Sequence, residues 1–414
     1  MLPWSFSSLT LLTILFECRQ AAAWFRVACS TTPLVQERLD PIVSPGISPS
    51  NHVHTIHGGN KFASNSTYDI LRTSTCSNCL VAQARFPKLY LRDPKTGMFE
   101  PVPDGGGSKF LPWAQVCLLV YYQNRGNGDV SNGGPGLKAF PPGLKMVSGN
   151  PARRSRKYTP GQGSQEELAE RAIEWECLRY TATTGYNSAA AGSGGFPTTD
   201  CEAGLNARIH FPACWDGVNL DSDNHASHTA YLSDLDNGAC PSTHPVPFMK
   251  LLYEVTWDVH SLASRWDPQK DTWPFVWGTD PTGYSWHGDF QNGWDTDTLQ
   301  NAIDKCNNPN DPTGTGITEA CSFLTTVNAT LASQCQITPI VNEAIDGQLE
   351  KLPGCNPLQF GPEDAIMQSD SNCKNITSSG GSGGSSAGYS IFACLHEPTL
   401  YISLVLVALL SLLS

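Results

Sequence analysis

Fifteen cysteines in 414 residues constrain this chain more than any other feature. Cys18 falls in an apolar leader and Cys394 in an apolar tail, so thirteen, from Cys29 to Cys373, remain in the part that folds. Cysteine at that density suits an oxidising compartment, where pairs close as disulfides and staple loops that a core alone does not hold. Thirteen is odd, so at least one thiol stays free or a cleavage boundary lies elsewhere, and spacing does not fix the connectivity. Cys76-Ser-Asn-Cys79 has the spacing of a redox dithiol or half a zinc site. With no second pair of similar spacing, a structural role is the expectation.

The two ends support the same compartment. An apolar run from Leu9 to Phe16 is followed by Ala21-Ala22-Ala23, so residues 1–23 read as a cleaved secretory leader, although no Lys or Arg precedes the run. The run is too short for the roughly 20 residues of a spanning helix. At the other end a Ser/Gly stretch (375–386) leads through a short spacer to an uncharged apolar tail, Leu400 to Ser414. Small residues, spacer and terminal apolar tail form the pattern of a glycosylphosphatidylinositol (GPI) signal, with residues 387–414 removed and the anchor placed at Ser385. The expected membrane link is that anchor. Asn65, Asn328 and Asn375 begin Asn-x-Ser/Thr sequons, which call for exposed segments if glycosylated.

Charged residues make up 15% of the chain, against a usual value of about 25%. The 37 glycines and 30 prolines exceed their usual combined share of roughly 12%. A loop-rich extracellular domain fits this balance. The net charge of −12 argues against a nucleic-acid partner, and the basic cluster Arg153-Arg154-Ser155-Arg156-Lys157 is short and reads as a solvated loop.

Leu251, Tyr253, Val255, Trp257 and Val259 alternate with mostly polar neighbours, the period of a half-buried strand. Lys88–Arg92, Gln115–Tyr122 and Ala207–Phe211 are further short runs bounded by Pro, Gly and Asp. Two helices are expected: Glu166–Tyr180, opened by the capping box Ser164-Gln-Glu-Glu167, and a second with Leu299, Ala302, Ile303 and Cys306 on one face after Asp295. The fold class is therefore mainly β, an antiparallel sandwich or jelly-roll-like core with a few helices at one side, rich in disulfides. The domain spans residues 24–321, with a cysteine-containing extension over 322–374.

Histidines supply the candidate chemistry. His52-Val-His54 puts two imidazoles on one face of an extended chain, and His57 follows in a Thr-Ile-His-Gly-Gly turn. Asp221 precedes His225 and His228, and His287-Gly-Asp289 follows later. A histidine beside aspartates is more often a hydrogen-bonded partner than a ligand, yet an i, i+2 pair and an i, i+3 pair can converge on one cation. His52, His54, His225 and His228 are thus candidate ligands for one divalent metal ion. His225, His228, Asp221, Asp289 and His287 are candidates for acid/base chemistry on a sugar. Trp215, Trp286 and Trp294 are candidates to stack on pyranose rings, with core packing the competing role. Gly380-Gly-Ser-Gly-Gly384 matches G-x-S-x-G but lacks the strand and helix of a nucleophile elbow.

The ordered motifs Arg38-Leu-Asp-Pro, His52-Val-His-Thr-Ile-His-Gly-Gly59, Phe140-Pro-Pro-Gly, Cys214-Trp-Asp-Gly217, Cys240-Pro-Ser-Thr-His-Pro245 and His287 to Asp295 carry a resemblance. From Trp24 to about Cys321 the chain resembles a family of secreted fungal proteins with bacterial relatives, built on a domain of unknown function, some of whose members carry WSC carbohydrate-binding modules. That resemblance implies secretion and a cell-wall association. It assigns no catalytic residue. The expected function is a cell-surface protein that engages wall polysaccharide through the His/Asp/Trp cluster; the alternatives are a glycan hydrolase or lyase, a metal-dependent enzyme using the same cluster, and a purely structural wall protein.

Overall fold

The structure, a computed structural model, describes residues 23–79, 82–105, 118–179, 189–192, 194–268, 270–306 and 316–366. The leader, the Ser/Gly stalk, the anchor signal with Ser385, and Asn375 lie outside the described residues, as do Cys117 and Cys373.

The strand Lys250–Trp257 is central. Leu251, Tyr253, Val255 and Trp257 are wholly buried while Leu252, Glu254 and Thr256 are half-buried, as the alternation demands. It sits inside a six-stranded antiparallel sheet, between Leu118–Gln123 on one side and Gly204–His210 on the other. A second, five-stranded antiparallel sheet runs in the order Val35–Glu37, His54–His57, Gln83–Pro87, His287–Gln291, Lys145–Gly149.

The two sheets pack face to face. Phe86 meets Trp257 with ring centroids 6.0 Å apart, Phe290 meets Phe211 at 6.5 Å, and Tyr253 Oη donates to the Asp289 carbonyl at 3.2 Å. Gly288 allows the close approach: a Cβ there would come within 2.6 Å of Ile209 Cδ1. The expected antiparallel β architecture is what forms.

The first helix is shorter than its sequence suggests. Ser164 caps it by accepting from Glu167 N–H, but it ends at Arg171, and Ile173–Leu178 continues as a strand. Helix-forming residues run on through Cys177, yet Ile173, Trp175 and Cys177 also alternate with Glu174 and Glu176. Pairing with Gly204–His210 buries that apolar face, so tertiary packing overrides local propensity. The second helix, Thr296–Lys305, is capped by Asp295 and buries Leu299, Ala302 and Ile303 as expected.

Five disulfides close among the described residues: Cys29–Cys79, Cys76–Cys335, Cys177–Cys201, Cys214–Cys240 and Cys306–Cys321. The two cysteines of the C-x-x-C therefore bond to distant partners and form neither a redox pair nor a zinc site. Cys76–Cys335 ties the C-terminal extension to the body. From there the extension follows the outside of the five-stranded sheet: Ile337 N–H donates to Leu34 O, Arg38 pairs with Glu343 at 2.6 Å, and Lys88 pairs with Asp346 at 2.8 Å. Further on, Gln359 N–H donates to Thr279 O and Ala365 N–H to Ala152 O.

Candidate functional site

Strand alternation gives the five-stranded sheet two chemically different faces. Ala84, Phe86, Met146, Gly288 and Phe290 point inward to the other sheet, so His54, Ile56, Arg85, His287 and Asp289 point outward. Register then lines them up, with Ile56 opposite Arg85 and Arg85 opposite Asp289. The outer face is not solvent. The loop from Arg38 to Val53 and the extension cover it, leaving a cleft of about 150 Å³.

Three imidazoles meet in this cleft. His52 Nε2 and His287 Nε2 stand 3.0 Å apart, and the His52 and His54 rings have centroids 4.4 Å apart. His287 Nδ1 lies 3.0 Å from the Ser285 carbonyl, so Nδ1 carries the proton and Nε2 the lone pair. The Ser285 turn is itself fixed: the buried Asp280 carboxylate accepts from Ser285 N–H and Oγ–H, from Thr282 and from Trp277 Nε1. His54 is fully buried, with the Leu39 backbone beside its ring.

An ionic cluster lies beneath the imidazoles. Arg85 Nη2 is 3.3 Å from both Asp40 Oδ1 and Asp289 Oδ2, and His54 Nε2 is 3.6 Å from Asp289 Oδ2. Asp40 also accepts from Ile42 and Val43 N–H, at 2.9 and 3.0 Å. Burial works to raise the Asp40 pKa, but Arg85 and those two amides outweigh it and hold the carboxyl below its ordinary range. Asp289 goes the other way: burial first, and the neighbouring Asp40 charge, raise it to about 7 against the pull of Arg85. Burial lowers all three imidazoles, His54 to about 3, with Arg85 adding to its shift and neighbouring imidazoles lowering His52 further. The cleft thus presents neutral nitrogen lone pairs rather than positive charge. Asp289 Oδ1 and Arg85 Nη1 are buried without a hydrogen-bond partner. Three imidazoles and two carboxylates thus converge around one cleft with ligand-like spacing.

The structure redistributes the sequence candidates. His52, His54, His287 and Asp289 come together. His225 and His228 do not join them, contrary to the expected metal set. His228 is buried with both nitrogens engaged, Nδ1 by Ser222 Oγ at 2.9 Å and Nε2 by the Lys145 carbonyl at 2.7 Å. His225 bonds Asp221 at 2.8 Å, and Asp221 also faces Lys145 at 3.8 Å, so this trio holds a surface loop. Trp286 is wholly buried among Trp257, Trp277 and Phe86, and Trp294 is buried against Phe25 with its Nε1 on Tyr122 Oη. Neither ring has a face free for a sugar. Trp215 is half-buried and stacks on Phe248 at 5.6 Å, leaving at most one face. His57 points inward and packs on Phe86. Asn65 and Asn328 are exposed, as sequons require.

Asp40, Arg85, Asp280 and Trp277 were not singled out from the sequence. Arg85 had a signal, a charged residue between the apolar Ala84 and Phe86, and Asp40 belongs to the Arg-Leu-Asp-Pro motif. Pairing them with Asp289 requires the sheet register.

No curated protein and no solved structure matches the chain. Residues 40–294, a span that holds every residue of this cluster, match the family described as "Domain of unknown function (DUF1996)", and the chain belongs to that family.

Proposed function

We propose that this chain is a secreted, GPI-tethered glycoprotein acting on cell-wall polysaccharide as a hydrolase or lyase, with the imidazole cleft as its reactive centre. The convergence of His52, His54 and His287 at a covered cleft carries the reading. A glycan-binding module uses exposed aromatic platforms, and Trp286 and Trp294 are buried. A purely structural coat has no need to gather three imidazoles and two carboxylates at one cleft. The cleft is smaller than the roughly 300 Å³ of pockets for drug-sized ligands, so it suits a single sugar unit or a chain end. Its walls suit one too, with Asn51 and Ser44 to meet hydroxyls and Val43 to meet apolar ring atoms.

The leader and tail motivate the location, since a tethered protein meets insoluble wall glycan within reach of its Ser/Gly stalk. Phosphatidylinositol-specific phospholipase C should release the protein from cells; protein retained on the surface contradicts the tether. Purified protein is to be incubated with wall glucans, chitin and mannan while new reducing ends and unsaturated products are followed. The reading expects product from at least one glycan, lost in His54→Ala; no product from any of them overturns it.

A further inference from the structure

We infer that His52, His54 and His287 bind one divalent ion of the borderline transition series, Zn²⁺ or Cu²⁺. The inference deepens the proposed function by naming what makes the cleft reactive. Two imidazoles meeting nitrogen to nitrogen at 3.0 Å are spaced as two ligands of a single ion. At about 2.0–2.1 Å from the ion, ligands at angles near 90–110° lie roughly 2.9–3.4 Å apart. One ligand nitrogen from each of the three residues lies within 4.8 Å of the others, so closure on an ion needs only small side-chain movements.

The tautomer agrees. His287 gives its Nδ1 proton to the Ser285 carbonyl, which leaves Nε2 as the donor atom and is the usual outer support of a metal-bound histidine. Asp280 in turn fixes that carbonyl through both the amide and the hydroxyl of Ser285. A simple hydrogen bond between His52 and His287 accounts for two of the rings only. It does not account for the third ring, His54, fully buried beside them with Asp289 Oδ2 3.6 Å from its Nε2, beyond hydrogen-bond length.

A second group, Asp40, His54 and Asp289, also has ligand spacing. Arg85 already places a guanidinium nitrogen 3.3 Å from each of those carboxylates, so the positive charge there is provided. That assigns the ion to the imidazoles. An all-nitrogen set also argues against Ca²⁺ and Mg²⁺, which take oxygen ligands. Three protein ligands at a cleft leave a coordination position open for water or a sugar hydroxyl, as catalytic sites require. Asp289, 3.6 Å from His54 Nε2, is a positioning residue for that ligand rather than a member of the set.

The test uses the full chain from a eukaryotic secretory host, stripped with chelator and titrated with Cu²⁺ and Zn²⁺ in the absence of any glycan. One equivalent should bind, with nitrogen hyperfine structure in the Cu²⁺ electron paramagnetic resonance spectrum and a raised thermal midpoint with Zn²⁺. His287→Ala should weaken binding at least tenfold. Should that variant fail to fold, the half-buried His52 serves instead as His52→Gln, with the same loss expected. A folded wild-type chain that binds neither ion, or variants that bind like wild type, overturns the inference. Binding without glycan turnover would count against the proposed function alone, and full turnover after metal removal against the metal alone.

Discussion

The two faces of the five-stranded sheet share strands, register and neighbours, yet they are built for opposite purposes. Inward, Phe86, Gly288 and Phe290 interlock with Trp257, Ile209 and Phe211 of the other sheet, where burial of apolar area stabilises the fold. Outward, one residue along the same strands, His54, Arg85, His287 and Asp289 are equally buried but bring imidazoles and charges together at a cleft. Burial alone therefore does not tell core from site. The distinction lies in what the buried groups are: apolar rings interlocked inside, imidazoles and ionisable groups gathered at a cleft outside.

Substitutions on the two faces should have unequal effects. The largest effect is expected inside: Phe290→Ala should cost about 3–5 kcal/mol by denaturant titration, as cavities in packed cores do. Arg85→Met comes next, because it leaves Asp40 and Asp289 buried without their cation; about 3 kcal/mol is expected, with partial recovery when Asp289→Asn is added. A cost near zero for Arg85→Met would mean that the outer face tolerates unpaired charge.

His57 offers a pH test on the inner side. Burial lowers its pKa to about 3, so between pH 6.5 and 3 the unfolded chain takes up a proton that the folded chain refuses. Its contribution to stability is intact above pH 6.5 and is lost as pH falls, at up to about 1.4 kcal/mol per pH unit. His57→Gln should flatten the acid limb of the stability profile by about one proton; an unchanged slope contradicts the assignment. The smallest effect is expected at His225, whose contacts hold only a surface loop. His225→Asn, which tolerates the positive φ of 56° there, should cost at most about 1 kcal/mol and leave product formation unchanged.

Much of the scaffold was legible in the sequence. The alternation of Leu251 to Trp257 and the face of the Thr296–Lys305 helix needed only period and capping. The Glu166–Tyr180 helix was overextended because the pairing that claims Ile173–Leu178 comes from a strand some thirty residues later. The site was half legible. His52 with His54, and His287 with Asp289, were visible as i, i+2 pairs, but their meeting depends on a register linking positions 235 residues apart. His225 and His228 misled for the converse reason: polar groups close by in the chain and across the sheet edge satisfy them, so their density signals a turn.

The most direct test of the account measures product formation and thermal midpoint together for His287→Ala, with Phe290→Ala, three residues along the same strand, as the reference. His287→Ala should lose product at least a hundredfold with a midpoint shift far smaller than that of Phe290→Ala. Retained activity, or a collapse in midpoint matching that of Phe290→Ala, would show that the outer histidines are part of the scaffold and contradict it.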